Sequence, residues 1–207
     1  MSNPGSRIRA VALEQLDEAG TAGRILDVAE RLVQLRGFNG FSYGDVAGEL
    51  KVTRASLHYH FHGKAELGQA LIDRYAVRFA AALAAIDAAG LDSRAELDAY
   101  AELYADVLKA RRMCLCGMLA ADYETLPQSM REAVVRFFDH NEAWLEKVLE
   151  RGRVEGRLHF TGSARSAAQL VISTLEGAML VARPYGDPER FRATASGLLQ
   201  GLAGAPA

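Results

Sequence analysis

The apolar positions recur with the period of a helix along nearly the whole chain. Ile25, Leu26, Ala29, Leu32 and Val33 fall on one face of a 3.6-residue turn, which predicts an amphipathic helix with Thr21 as its N-cap and Gly37 as its stop. Ser42 then caps a short second helix carrying Val46, Ala47 and Leu50. Lys51-Val52 leaves room only for a tight turn, and Thr53 caps a third short helix with Ala55, Ser56, Leu57 and Tyr59. After Gly63 a long fourth helix is predicted from Lys64, with Leu67, Leu71, Tyr75, Phe79, Leu83 and Ile86 on its buried side and Gly90 closing it. Further helices are predicted from 92 or 93 to about 112, over 114–124, from Pro127 to about 155, and over 163–183 and 187–202. No segment alternates as a strand would, so the expected fold class is all-α with about nine helices. Ahead of them, "SNPGS" and the spacing of Ile8, Val11, Ala12 and Leu16 predict a flexible leader or short extra helix over 1–20.

Composition adds little except locally. The 207 residues are half apolar and about a quarter charged, an ordinary globular balance, and the net charge of −2 announces no nucleic-acid partner. The segment 51–64 departs from this average: it holds two lysines, one arginine and three histidines, and no acid. Two cysteines, Cys114 and Cys116, fit a reducing cytoplasm rather than a disulfide framework. Arg7 and Arg9 are not followed by a long apolar run, so no signal peptide is expected, and the most apolar stretch, 170–182, is cut by Glu176, so no membrane span is expected either.

The three histidines His58, His60 and His62 raise metal binding or proton transfer as candidate chemistries. On a helix, residues two apart point about 200° from each other, so His58 and His60 do not share one ion, and no metal is expected. Gly63-Lys64 would need glycine at His58 to begin a phosphate-binding loop, and the nucleophile-elbow, zinc-helix and dinucleotide-binding patterns are missing, so neither catalysis nor a cofactor is expected.

Two short helices joined by a tight turn behind a supporting helix form a helix-turn-helix, whose second helix can enter the major groove of DNA. Ala55 and Ser56 are small enough for close approach, Leu57 and Phe61 form an i, i+4 anchor to the core, and Arg54, Ser56, His58, Tyr59 and His60 supply donors and acceptors. Over residues 24–67, about a fifth of the chain, the ordered set Ala29, Gly37-Phe38, Ser42, Asp45-Val46-Ala47, Val52-Thr53, Leu57, Phe61, Lys64 and Leu67 resembles the DNA-binding domain of the TetR/AcrR family of bacterial repressors. The resemblance implies base or near-base contacts from Arg54, Ala55, Ser56, His58, Tyr59 and His60, and phosphate contacts from Tyr43 and Lys64. Two positions depart from the family pattern: Lys51 stands where glycine is common in the turn, and His58 where tyrosine is usual. Lys51 either strains the turn, if φ must be positive, or adds a phosphate contact. The candidate DNA-contacting set is therefore Tyr43, Lys51, Thr53, Arg54, Ala55, Ser56, His58, Tyr59, His60 and Lys64, with Tyr59 and His60 expected to point into the groove.

The resemblance also implies a helix-turn-helix domain over 21–66 and a ligand-binding and dimerisation domain over 67–207. The expected partners are a near-palindromic operator in double-stranded DNA, a small apolar or reactive inducer that releases it, and a second copy of the chain. For the inducer, the candidates are Tyr100, Tyr104, Cys114, Met118, Tyr123, Phe137, Asn141, Trp144 and Glu176, apolar walls with a few polar groups among them. Arg111 and Arg112 ahead of the cysteines could lower a thiol pKa and make it reactive; the other reading is two small buried apolar residues. For the dimer, the candidates are Leu170, Ser173, Gly177 and Leu180 on one helix and Phe191, Ala195, Leu198 and Leu199 on the next, unless these stripes close the monomer core. The competing function is a helical ligand-binding or adaptor protein that no longer reads DNA.

Overall fold

The computed structural model describes the backbone of residues 4–203 and the side chains of residues 20–203. Among the described residues there is no strand, and nine α-helices follow one another: α1 (Pro4–Arg36), α2 (Tyr43–Leu50), α3 (Arg54–His60), α4 (Lys64–Ala88), α5 (Ser93–Lys109), α6 (Leu115–Ala121), α7 (Gln128–Val154), α8 (Ala164–Ala182) and α9 (Pro188–Ala203). Single 3-10 turns, Tyr123–Thr125 and Arg183–Tyr185, follow α6 and α8. No helix among the described residues is long and apolar enough to cross a membrane.

The stop and start signals of the sequence hold at most boundaries. Gly37 ends α1 at φ 81°, and Ser42, Thr53, Asp92 and Ser163 each accept a hydrogen bond from a backbone N–H of the helix they precede. Thr21 is a correction. Helix α1 runs through it without a break, although Gly20 and Gly23 flank it, since no proline follows Pro4 within the helix. The expected apolar face of Ile8, Val11, Ala12 and Leu16 lies outside the described side chains. Helix α5 stops at Lys109, short of the expected 112, since Arg111 turns the chain with φ 58°.

One apolar core runs through the molecule, from Ile25, Leu32 and Leu57 at one end to Leu145, Leu175 and Phe191 at the other. Helix α4 is the shared spine, burying Leu67, Leu71, Ile72 and Tyr75 near its start and Leu83 and Ile86 near its end. It is tied to α1 by charge as well. The buried Glu30 accepts from Arg74 Nη2 at 2.9 Å and from Arg78, and Arg74 also reaches Asp27 at 2.8 Å. A nearly enclosed carboxylate held by two guanidiniums fixes the register of the two helices, since removing either partner would strand a charge. Beyond α4, helices α7, α8 and α9 pack in succession and α9 closes against α5.

Candidate functional site

Helices α2 and α3 owe their short, defined form to their caps. Ser42 Oγ accepts from Asp45 N–H while Asp45 Oδ2 accepts from Ser42 N–H at 2.7 Å, a reciprocal capping box. Thr53 Oγ1 accepts from Ser56 N–H at 3.2 Å. Between them Lys51 takes φ 57°, the left-handed conformation that glycine adopts without cost, so its departure from the family pattern is a strained turn with an exposed lysine. Leu57 and Phe61 are buried and anchor α3, which leaves Arg54, Ala55, His58 and Tyr59 exposed on the far side. Tyr59 is 67% exposed, and its ring meets His60 edge-on at 5.2 Å. His60 itself is half-buried: three positions after Leu57, it stands on the flank of the anchored face rather than pointing outward as expected.

Tyr43 and Lys64 also lie differently from a free phosphate clamp. The Tyr43 hydroxyl donates to Phe61 O at 3.0 Å, and its ring lies 4.8 Å from that of His58. Burial, helped by the charge of Glu66, pushes the phenol up to about 12. The Lys64 ammonium donates to Phe41 O at 2.5 Å and sits 4.7 and 4.3 Å from the ring centres of Phe38 and Phe41. Partial burial lowers its pKa, opposed by the charges of Asp122 and Asp45. Lys64 thus braces the loop between α1 and α2 against the start of α4, and Tyr43 ties the start of α2 to the end of α3. The three histidines do not converge: His58 Nδ1 approaches His62 O at 3.2 Å, while His62 turns to Glu66.

The sequence reading missed the clasp beneath this unit. Asp122, the C-cap of α6, accepts from Phe38 N–H at 2.7 Å and Asn39 N–H at 3.4 Å, and Asn39 Nδ2 donates to Thr125 Oγ1 at 2.8 Å. These partners lie more than eighty positions apart, and no local pattern announces the pairing. Met113 N–H donates to Gln34 O at 3.3 Å, and Arg183 donates to Leu35 O, so the end of α1 is held from the same side.

The expected inducer residues divide into a cluster and two outliers. Tyr100 and Tyr104 share a hydroxyl contact of 3.0 Å, Tyr100 donates to Asn141 Oδ1 at 3.2 Å, and Trp144 stacks on Tyr100 at 5.5 Å. Phe79 and Phe137 join the same ring cluster, 5.2 Å apart, and with Trp144, Asn141, His140, Asp87 and small residues of α4 they line an open cleft of about 430 Å³. Cys114 joins this cluster through Tyr75, which donates to its Sγ at 3.7 Å, and Glu176 lies against Gly117 of α6. Met118 and Tyr123 fall outside the cluster. Met118 meets Arg183, and Tyr123 lies beneath Arg131 near the start of α7. Both thiols are buried, and burial pushes them well above the usual thiol range. Of the two readings for the cysteines, small buried residues is the one the geometry matches.

The two dimer stripes also part company. Leu170, Ser173, Gly177 and Leu180 are exposed on α8, joined by Val181, with Leu180 and Val181 each 62% exposed. On α9, Phe191, Ala195 and Leu199 are buried in the monomer core, and Leu198 is half-buried. The reason is the packing of α9 on α5, where Arg94 donates to Leu199 O at 2.5 Å and Arg192 pairs with Glu102. The outer face of α9 is formed instead by Thr194, Gly197 and Gly201 beside Leu198.

Comparison with known proteins matches both parts of this arrangement. Residues 25–71 fit the family model described as bacterial regulatory proteins, tetR family, and residues 90–198 fit the one described as tetracyclin repressor-like, C-terminal domain. A TetR-family transcriptional regulator from Agrobacterium tumefaciens is similar in structure with a TM-score of 0.87 and 32% identity, over 90% of this chain and 100% of that one. A TetR transcriptional regulator from Legionella pneumophila is similar with a TM-score of 0.76 and 35% identity, over 86% and 95% of the two chains. Among curated proteins, the HTH-type transcriptional repressor NemR of Escherichia coli K12 is 26% identical over 170 residues, 80% of this chain and 85% of that protein.

Proposed function

The chain belongs to the TetR family of bacterial regulatory proteins, and from that premise we propose that it is a homodimeric repressor released from a near-palindromic operator by a small apolar molecule. The observation that carries this reading is the mounting of α3. Its exposed face of Arg54, Ala55, His58 and Tyr59 is fixed by two caps and by Leu57, and the unit is held both by α4, which continues into the aromatic cluster, and by Asp122. An entering ligand that displaces Phe79 acts on the same helix that positions the reading head.

Two heads read two half-sites about one turn, 34–36 Å, apart. The exposed stripe of Leu170, Ser173, Gly177, Leu180 and Val181 supplies the apolar, small-residue face that pairs the copies. A shift in head separation lowers affinity because both half-sites no longer fit at once, and a coupling of about 1–3 kcal/mol is typical of such switches. The protein acts in the cytoplasm by binding rather than by catalysis. Tyr43 and Lys64 turn toward phosphate on docking, while Lys51 and Thr53 lie at the turn beside it. A Tyr59→Ala variant tests the reading: operator affinity should drop by roughly tenfold or more, with relaxed preference at one base position. Unchanged affinity and preference would remove α3 from the interface.

A further inference from the structure

Three arginines meet where the ends of α1, α5 and α8 come together. Arg111 and Arg112 lie between α5 and α6, and Arg183 begins the 3-10 turn after α8. With Leu35, Leu108, Ala182 and Pro188 they line a cavity of about 340 Å³. No carboxylate among the described residues lies within ion-pair distance of any of the three. Lys109, a fourth basic group on the wall, is already held by Asp106 and Glu102. Asp187, the acid on the wall, accepts from Glu189 N–H at 3.0 Å as α9 begins.

Basic side chains near helix C-termini are ordinary, because they answer the helix dipole and its last carbonyls. At α5 that need is already met by the backbone: the N–H groups of Ala110, Arg111 and Arg112 donate to Asp106 O, Leu108 O and Val107 O at 3.2, 2.7 and 3.0 Å. Two of the guanidiniums reach across to the last turn of α1 instead. Arg112 Nη1 donates to Gln34 Oε1 at 3.4 Å, while Arg183 donates to Leu35 O and, at 3.4 Å, to Met118 Sδ. A guanidinium carries five N–H donors, so both keep donors in hand. Arg111 makes no side-chain hydrogen bond to another described residue. It also takes φ 58°, and Lys51 is the other non-glycine residue with positive φ among those described. Glycine would make that turn without strain, so the turn itself gives no reason for an arginine.

Like charges gathered on one concave wall repel one another until a counter-charge enters. Guanidinium forks match phosphate and carboxylate oxygens two at a time, and the apolar walls leave room for a small carbon body beside the charge. We propose that this cavity is a site for a small molecule carrying a multivalent oxyanion, a phosphorylated or polycarboxylic metabolite. It shares no residue with the aromatic cleft between α4 and α7. Arg111 supplies the free fork, and Arg112 and Arg183 supply the pair that grips Gln34 and Leu35. The bound anion ties the end of α1 to the ends of α5 and α8 and so stiffens the mount of the helix-turn-helix. Binding of the anion stands independently of the DNA-reading conclusion.

Isothermal titration of the full chain with sodium pyrophosphate and with trisodium citrate, at constant ionic strength and neutral pH, tests the site. At least one anion should bind with one equivalent per chain and raise the melting temperature on saturation. The tighter of the two names the head group, phosphate or carboxylate. Arg111→Gly removes the charge and the strain together, so it should melt no lower than wild type yet bind roughly tenfold or more weakly. Arg183→Gln should weaken binding by a similar factor. Arg165→Gln, an equal loss of charge at the exposed start of α8, should leave it unchanged.

No millimolar binding of either anion, binding that survives both Arg111→Gly and Arg183→Gln, or binding weakened as much by Arg165→Gln overturns the assignment. So does an anion-free Arg111→Gly chain whose DNA binding loses about one unit of salt slope, because the patch would then belong to DNA phosphate. The regulator reading fails separately, by absence of site-selective DNA binding in the wild-type chain.

Discussion

Lys51 and Glu176 are each held in a state their chemistry resists, and each makes a measurable prediction. At φ 57° the lysine carries a left-handed strain that glycine would not. Lys51→Gly should therefore stabilise the fold by about 1 kcal/mol in urea unfolding. If Lys51 also touches phosphate, the salt dependence of DNA binding should shallow by about one unit of slope. For Glu176 the folded carboxyl sits at about 7 against an ordinary 4.5 because it is buried. The folded chain thus keeps a proton that the unfolded chain releases, and stability falls as pH rises from about 4.5 to 7, then levels off. Glu176→Gln removes that loss. It should be more stable than wild type by up to about 3 kcal/mol at pH 8 and close to it at pH 4.5, read from melting curves. The tight turn was legible in the sequence, since Lys51-Val52 left no space for anything longer, but its strain was one of two readings for a lysine where glycine is common. The isolation of Glu176 was not, because it depends on Gly117, Cys114 and three tyrosines brought from other helices.

Helix α6 is the element through which the aromatic core meets the reading head. Cys114 caps its start beside Glu176, and Asp122 caps its end while holding Phe38 and Asn39. Asp122→Ala leaves the two backbone N–H groups without that acceptor and should cost about 1–3 kcal/mol in urea unfolding. It should also reduce the change in DNA affinity that an inducer produces, measured by gel shift with and without ligand; an undiminished response would leave α4 as the sole link. Most helices were readable because caps and 3.6-residue periodicity are local signals: Ser42, Thr53, Gly63 and Ser163 each stand where expected. Lateral packing is not local. The same apolar stripe on α9 would serve a dimer or a core, and only the seat of α9 on α5 decides that Phe191, Ala195 and Leu199 are core.

For the molecule as a whole, the exposed stripe of α8 and the exposed face of α3 belong to one design only if two copies pair. Leu180→Glu changes a side chain that is 62% exposed in the monomer, so the fold should survive. Sedimentation equilibrium should show a monomer, and operator affinity should fall by roughly a hundredfold or more as bivalent binding is lost. The most direct measurement is selection of bound sequences from random double-stranded DNA, followed by gel-shift titration of the winner across a salt series. Two inverted half-sites about one helical turn apart are expected, with affinity that falls steeply with salt and a relaxed half-site in Tyr59→Ala. A pool with no enriched sequence, or one enriched in a single half-site bound by a monomer, would contradict this.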